Sequence, residues 1–152
     1  MLKVVLDTNI LINGVQDESS YSFRIIKAVL DGKVTAIVNR QLEKENRLKA
    51  SQLIKDRAYK KILEDYYRKA DFTKRYTHKN VVRWDREDNK LIAAALDGGA
   101  QFIVTEDRDL LFLGEHQGIR MVTPQEFWRY YQENEEEENS DWQDWMKNLL
   151  NQ

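Results

Sequence analysis

The sequence predicts a three-layer α/β/α fold with a mostly parallel central sheet. Short apolar runs alternate with longer amphipathic segments, in the order strand, helix, strand, helices, strand, helix, strand, helix. Acidic residues sit where a strand should stop or a helix should start, which places them on one edge of such a sheet. The length of 152 residues suits one core.

Lys3–Leu6 (KVVL) reads as a short buried strand, ended by the turn or cap signal Asp7-Thr8-Asn9, with a helix starting near Ile10. Ser19 and Ser20 can cap a helix running to about Leu30, with Phe23, Ile26, Val29 and Leu30 on one face. Asp31-Gly32 stops it, and Val34–Val38 is a second strand. Asn39 caps a helix through Leu42 and Glu45, and residues 52–70 form another. Its candidate core positions are Leu53, Ile54, Ala58, Ile62, Leu63, Tyr66 and Tyr67. Val81–Val82 is a weak strand, and Asp85 begins a helix that Gly98-Gly99 terminates. Phe102–Val104 is a strand, Leu110–Leu113 a short helix and Ile119–Val122 another strand. Thr123-Pro124-Gln125-Glu126 is a helix start: a cap, a proline in the first turn and a glutamate three residues on.

Two segments are expected. Residues 1–131 form the folded domain, and residues 132–152 an acidic linker (QENEEEENS) followed by a short helix capped by Asp141. That helix carries Trp142, Trp145, Met146, Leu149 and Leu150 at amphipathic spacing. Its plain reading is docking on its own domain or on a second subunit. A sharper one has Glu133–Glu138 mimic phosphates in a basic groove.

The chain is 41 % apolar and 33 % charged, in the range of a folded, soluble domain. It has no cysteine, which excludes disulfides and thiolate metal sites, and two histidines, too few for a histidine-rich zinc site. No run is long and apolar enough to span a membrane, and the first residues are too short and polar for a signal peptide, so a cytoplasmic protein is expected. The net charge of −2 hides a segregation. Residues 44–83 hold thirteen bases and five acids, the footprint expected for a phosphate backbone, while residues 133–152 hold seven acids and one base.

Four acidic motifs carry the chemistry: Asp7 in VVLDTN, Glu43 and Glu45 in QLEKEN, Asp88 in DREDNKLIAAAL, and Asp107 and Asp109 in FIVTEDRDLL. Each acid alone has an ordinary explanation as a cap or turn residue. Gathered on one edge, four carboxylates would repel and raise one another's pKa. Mg²⁺ or Mn²⁺ relieves that conflict through hard oxygen ligands, and the common work of such a site is phosphodiester cleavage.

VVLDTNILIN, REDNKLIAAAL with DGGAQFIVTEDRDLL, and GIRMVTPQEFW resemble the motifs of PIN-domain proteins, over about residues 1–131. The chain is most similar to the VapC-type toxins of toxin–antitoxin systems. The resemblance implies an Mg²⁺- or Mn²⁺-dependent ribonuclease for single-stranded RNA, often a homodimer, with a cognate antitoxin as partner. It implies Asp7, Asp88 and Asp107 as catalytic metal ligands, with Asp109 as an accessory acid. KENR resembles the family's second acidic motif and favours Glu45, while a shift of two residues gives Glu43; the two point about 200° apart on a helix. Thr8, Asn9 and Thr105 match polar positions that orient ligands or water, or they cap turns. Lysines and arginines of 44–83 would hold the RNA, and Tyr59, Tyr66, Tyr67, Tyr76 or Trp84 could stack its bases.

Other classes fit less well. A haloacid-dehalogenase phosphatase needs an aspartate where Asn9 stands, and no phosphate-binding GxxxxGK[ST] loop occurs. The rival reading is a non-catalytic RNA- or protein-binding module on the same scaffold. A housekeeping RNA-processing nuclease is a further alternative.

Overall fold

The computed structural model describes residues 1–74 and 86–151, and the side chains of these except 86–89 and 136–142. The elements run β1 (Lys3–Leu6), α1 (Thr8–Gln16), α2 (Tyr21–Leu30), β2 (Thr35–Val38), α3 (Arg40–Leu53) and α4 (Arg57–Lys69). They continue with β3 (Asp71–Phe72), α5 (Arg86–Gly98), β4 (Phe102–Val104), α6 (Arg108–Leu113), β5 (Glu115–His116), β6 (Ile119–Val122) and α7 (Pro124–Leu150).

Among the described residues the strands form one six-stranded sheet, ordered β3-β2-β1-β4-β6-β5. β1 lies in the middle and pairs in parallel with β2 and β4, in register Val4↔Ala36 and Val5↔Ile103. Its Val4, Val5 and Leu6 are all buried, as a strand covered on both faces requires. Helix α5 packs across β1, β2 and β4, and α7 packs on β4 and α2. The sheet is thus mostly parallel and flanked by helices.

The parallel order decides where the site lies. β1 and β4 are adjacent and point the same way, so the residues that follow them, Asp7 and Thr105, emerge side by side. The Asp7 backbone N–H donates to the Val104 carbonyl at 3.0 Å, and the Thr105 N–H donates to Val122 at 2.9 Å, so the ladder extends past both strand ends. Helix α1 starts there, at Thr8 rather than near Ile10, and packs on α2. Gly14 permits that approach, because a Cβ there would stand 2.6 Å from the Ile26 side chain.

The sequence locates most elements, and the differences have local causes. The helix expected over 52–70 begins at Arg57, because the Asp56 carboxylate accepts the Ala58 N–H at 2.7 Å and starts a new helix. α3 instead runs to Leu53, which is exposed, and Ile54 turns inward in an extended conformation as its C-cap. Ala58 is also exposed, and the buried face of α4 is Leu63, Tyr66 and Tyr67. β3 and β5 have two residues each, too short to show a periodicity. β5 exists because Gln117 (φ 49°) and Gly118 (φ 84°) form a two-residue turn that folds it antiparallel onto β6. Val81–Val82 and Asp85 lie outside the described residues.

The acidic linker is the main correction. α7 is one continuous helix of 27 residues, about 40 Å long, through Gln132–Ser140 and past Asp141. After Pro124 it contains no glycine or proline, and glutamate and glutamine are good helix formers. Leu149 and Leu150 stay 52 % and 76 % exposed, so burial of these two side chains on the domain is not observed. Glu135 faces a groove with Lys33 and Tyr131, apart from the carboxylates described below. Among the described residues no helix is long and apolar enough to cross a membrane.

Candidate active site

A cavity of about 250 Å³ opens beyond the C-terminal ends of β1 and β4. The start of α1 contributes Asp7, Thr8, Asn9 and Asn13. α3 contributes Leu42, Glu45 and Lys49, α5 contributes Leu91, and the segment after β4 contributes Glu106 and Asp107. Of the acids singled out in the sequence, the cavity therefore gathers Asp7, Glu45 and Asp107.

Asp7 occupies the N-cap position of α1 but makes no side-chain cap bond. Its Oδ2 accepts instead from the Thr105 hydroxyl at 2.8 Å. Burial pushes the Asp7 carboxyl up from its ordinary value. The Thr105 hydroxyl and the Thr8 backbone amide favour the ion, the nearby charge of Asp107 opposes it, and Lys49 adds a smaller attraction. Thr105 is fully buried and joins the two acids, since its Oγ1 also accepts the Asp107 backbone N–H at 3.0 Å. Asp107 is a true N-cap: its Oδ1 accepts from the N–H groups of Asp109 at 2.8 Å and Leu110 at 3.4 Å.

The two glutamates of α3 part company. Glu43 is bound to Arg40 at 3.1 Å and to Arg47 at 3.3 Å, and does not line the cavity. Glu45 does, with the ammonium groups of Lys49 at 3.9 Å and Lys90 at 3.7 Å. Asp109 is exposed in the first turn of α6 and lies outside the cavity lining. Asp88 falls in the first turn of α5, one helical turn before Leu91. Its side chain lies outside the described residues.

Asn46 is a contributor that sequence reasoning missed. It is buried, and its Oδ1 accepts from the Thr8 hydroxyl at 2.6 Å, which fixes α3 to the first residue of α1. Its place directly after Glu45, four residues from each of the buried Leu42 and Ala50, is the one signal that could have marked it. Asn13, Glu106 and Lys49 were also not foreseen as cavity residues; Asn13 lies one turn beyond Asn9, and Lys49 one turn beyond Glu45.

The expected RNA-stacking aromatics are partly corrected. Tyr66 and Tyr67 are buried in the core, in edge-on contact at 5.4 Å between ring centres, and cannot meet a base. Tyr59 is half-buried, and Tyr76 and Trp84 lie outside the described residues. Several bases of the central segment are paired with acids: Arg47 with Glu64 and Glu43, and Arg68 with Asp65.

Among the described residues, no three acidic, histidine or cysteine side chains come together closely enough to form a ready ligand cage. The donor set still suits a hard cation. Mg²⁺ commonly keeps several waters and takes only one or two carboxylates, and the cavity leaves room for such waters. Asp7 and Asp107 are near enough to repel, and Asp7 is destabilised as an ion by burial, so a positive charge between them would relieve both costs.

Among solved structures, the chain is similar to one of VapBC2 from Rickettsia felis bound to a DNA fragment from their promoter. The TM-score is 0.56 at 10 % identity, over 79 % of this chain and 97 % of that one, which speaks for a shared fold. No curated protein matches the chain. The family model of the PIN domain matches residues 3–109, from the first residue of β1 to the first turn of α6. PIN domains are generally nucleases and generally use divalent metals. The chain belongs to the PIN-domain family.

Proposed function

We propose that this chain is an Mg²⁺- or Mn²⁺-dependent endoribonuclease that cuts single-stranded RNA, acting as the toxin of a toxin–antitoxin pair. The observation that carries the reading is the convergence of Asp7, Glu45 and Asp107 on one cavity, with Asp7 left uncapped and costly as an ion. Asp7 and Asp107 would hold the cation, with Asp88 and Asp109 as the further acids of the set. When bound, the cation neutralises the carboxylates and stabilises negative charge on the phosphate and on the leaving oxygen. Glu45 orients an attacking water and takes its proton. Thr105 holds Asp7 and the Asp107 backbone in fixed relation, and Asn46 does the same for Thr8. Asn9 lies at the cavity wall, where its amide can orient substrate or water.

The toxin assignment draws support from the fold shared with the VapBC2 structure. It brings with it a cognate antitoxin as partner, a homodimer as the working form and the cytoplasm as the place of action. The test is cleavage of mixed single-stranded RNAs by the purified chain with Mg²⁺, Mn²⁺ or EDTA, beside Asp7→Asn and Asp107→Asn. Cleavage by wild type, stopped by EDTA and lowered about 10²-fold or more in each variant, supports the reading. Equal behaviour of wild type and variants sinks it and favours a binding module.

A further inference from the structure

Resting on that nuclease reading, we infer that Lys49 and Lys90 form the site's phosphate holder, gripping the RNA backbone beside the carboxylates whatever its bases. The two lysines come from different helices, α3 and α5, and meet on one acid, Glu45. Lys49 lines the cavity itself, and Lys90 is mostly enclosed, with 27 % of its side chain exposed. Two positive charges thereby meet on Glu45, one of them on the wall of a cavity whose other charged lining groups are acids.

Their contacts with Glu45 are loose, 3.9 and 3.7 Å, longer than a charge-assisted hydrogen bond. Such pairs act as point charges and rearrange at small cost, since an ammonium on a flexible stem can rotate from one oxygen to another. A phosphodiester offers two anionic oxygens that the ammonium groups can take in place of the Glu45 carboxylate. That exchange leaves Glu45 unpaired beside the scissile phosphate, where a base is needed. The lysines thus guard the carboxylate in the empty site and give it up when a backbone phosphate arrives. The contact reads charge only, so the substrate class is any single strand with an accessible phosphodiester.

The experiment uses the full chain and fluorescent single-stranded RNA of mixed sequence, with binding measured in EDTA across a salt series and cleavage measured in Mg²⁺. Lys49→Gln and Lys90→Gln should each weaken binding about fivefold at 0.1 M salt, and each should flatten the slope of log K against log salt by about 0.7. The loss should be uniform across sequences, appear in KM more than in kcat, and be restored by Lys→Arg. Glu45→Gln, which releases both ammonium groups, should bind more tightly than wild type in EDTA, and that gain should shrink in the Lys49→Gln/Lys90→Gln background. Lys27→Gln, an exposed charge on α2 outside the cavity, serves as the comparison. If wild type cuts RNA while the lysine variants match it in affinity and slope, or fall no further than Lys27→Gln, the phosphate holder is wrong and the nuclease stands. If wild type neither binds nor cuts any RNA, the nuclease reading fails and this inference fails with it. Circular dichroism of each variant separates lost binding from lost folding.

Discussion

Asp7 and Asp107 occupy equivalent places and do opposite things. Each follows one of two neighbouring parallel strands, and each stands at the N-cap of the next helix in extended conformation. Asp107 spends one oxygen on two backbone N–H groups, as a cap residue does. Asp7 leaves the N-terminus of α1 without a side-chain cap and turns to a buried threonine, in a setting that disfavours its charge. The same local motif therefore yields one acid that stabilises the fold and one whose charge works against it. A carboxyl held at a cavity where its charge is disfavoured marks a candidate functional position.

The largest expected effect extends that contrast to α3, where two glutamates also share one motif. Glu45→Gln removes the carboxylate that faces the cavity and should lower kcat/KM for RNA cleavage by about 10²–10⁴. Glu43→Gln breaks contacts with Arg40 and Arg47, largely solvent-facing partners, and should cost about 1 kcal/mol of stability or less while leaving cleavage near wild type. Parallel cleavage assays and thermal melts of the two variants check this. Equal losses, or the reverse order, would break the assignment.

This division shows how far the sequence reaches. The strand Lys3–Leu6 carries the apolar run Val4–Leu6 in a charged chain, and Thr123-Pro124 with Glu126 is a complete capping signal; the Thr123 hydroxyl accepts the Glu126 N–H at 3.2 Å. Such elements are legible because their cause is local. The continuity of α7 was harder to read, since a run of glutamates resembles a linker by composition yet has good helix propensity. The choice between Glu43 and Glu45 has no local cause at all. It depends on the angle at which α3 crosses α1, and the Thr8–Asn46 bond across 38 residues helps to fix that angle. The failure of Asp7 to cap is equally nonlocal, because its alternative partner, Thr105, is 98 residues away.

Thr105 is where the two aspartates are coupled, so it is the next place to press. Thr105→Val keeps the shape, removes the donor to Asp7 and leaves the Asp107 backbone N–H without its acceptor. The variant should lose about 1–3 kcal/mol of stability, the usual cost of stranding buried polar groups. In a domain of this size that is a fall in melting temperature of about 2–4 °C for each kcal/mol. It should also raise the Asp7 pKa further, since the Thr105 bond is the largest influence now holding it down. A melt indistinguishable from wild type would mean that the two aspartates are positioned independently.

The smallest effect carries the clearest sign. Because burial raises the Asp7 pKa above 3.8, the folded chain holds its proton more tightly than the unfolded chain does. Stability attributable to Asp7 is then fully present below the unfolded pKa and is lost as pH rises through the folded one. Above the folded pKa, in EDTA, the ionised carboxylate is a net cost, and Asp7→Asn, which keeps an oxygen for Thr105, should melt higher than wild type. That gap should close as the pH is lowered toward and below 3.8, where wild type is itself uncharged at this position. Asp107→Asn supplies the contrast, since weakening a charged cap lowers the melting point at neutral pH. Adding Mn²⁺ should reverse the order at pH 7, raising wild type by an amount set by the metal's affinity and leaving Asp7→Asn nearly unmoved. A gap that ignores pH, or an Asp7→Asn protein that melts lower throughout, would show that Asp7 is an ordinary structural acid and erase the difference between the two strand ends.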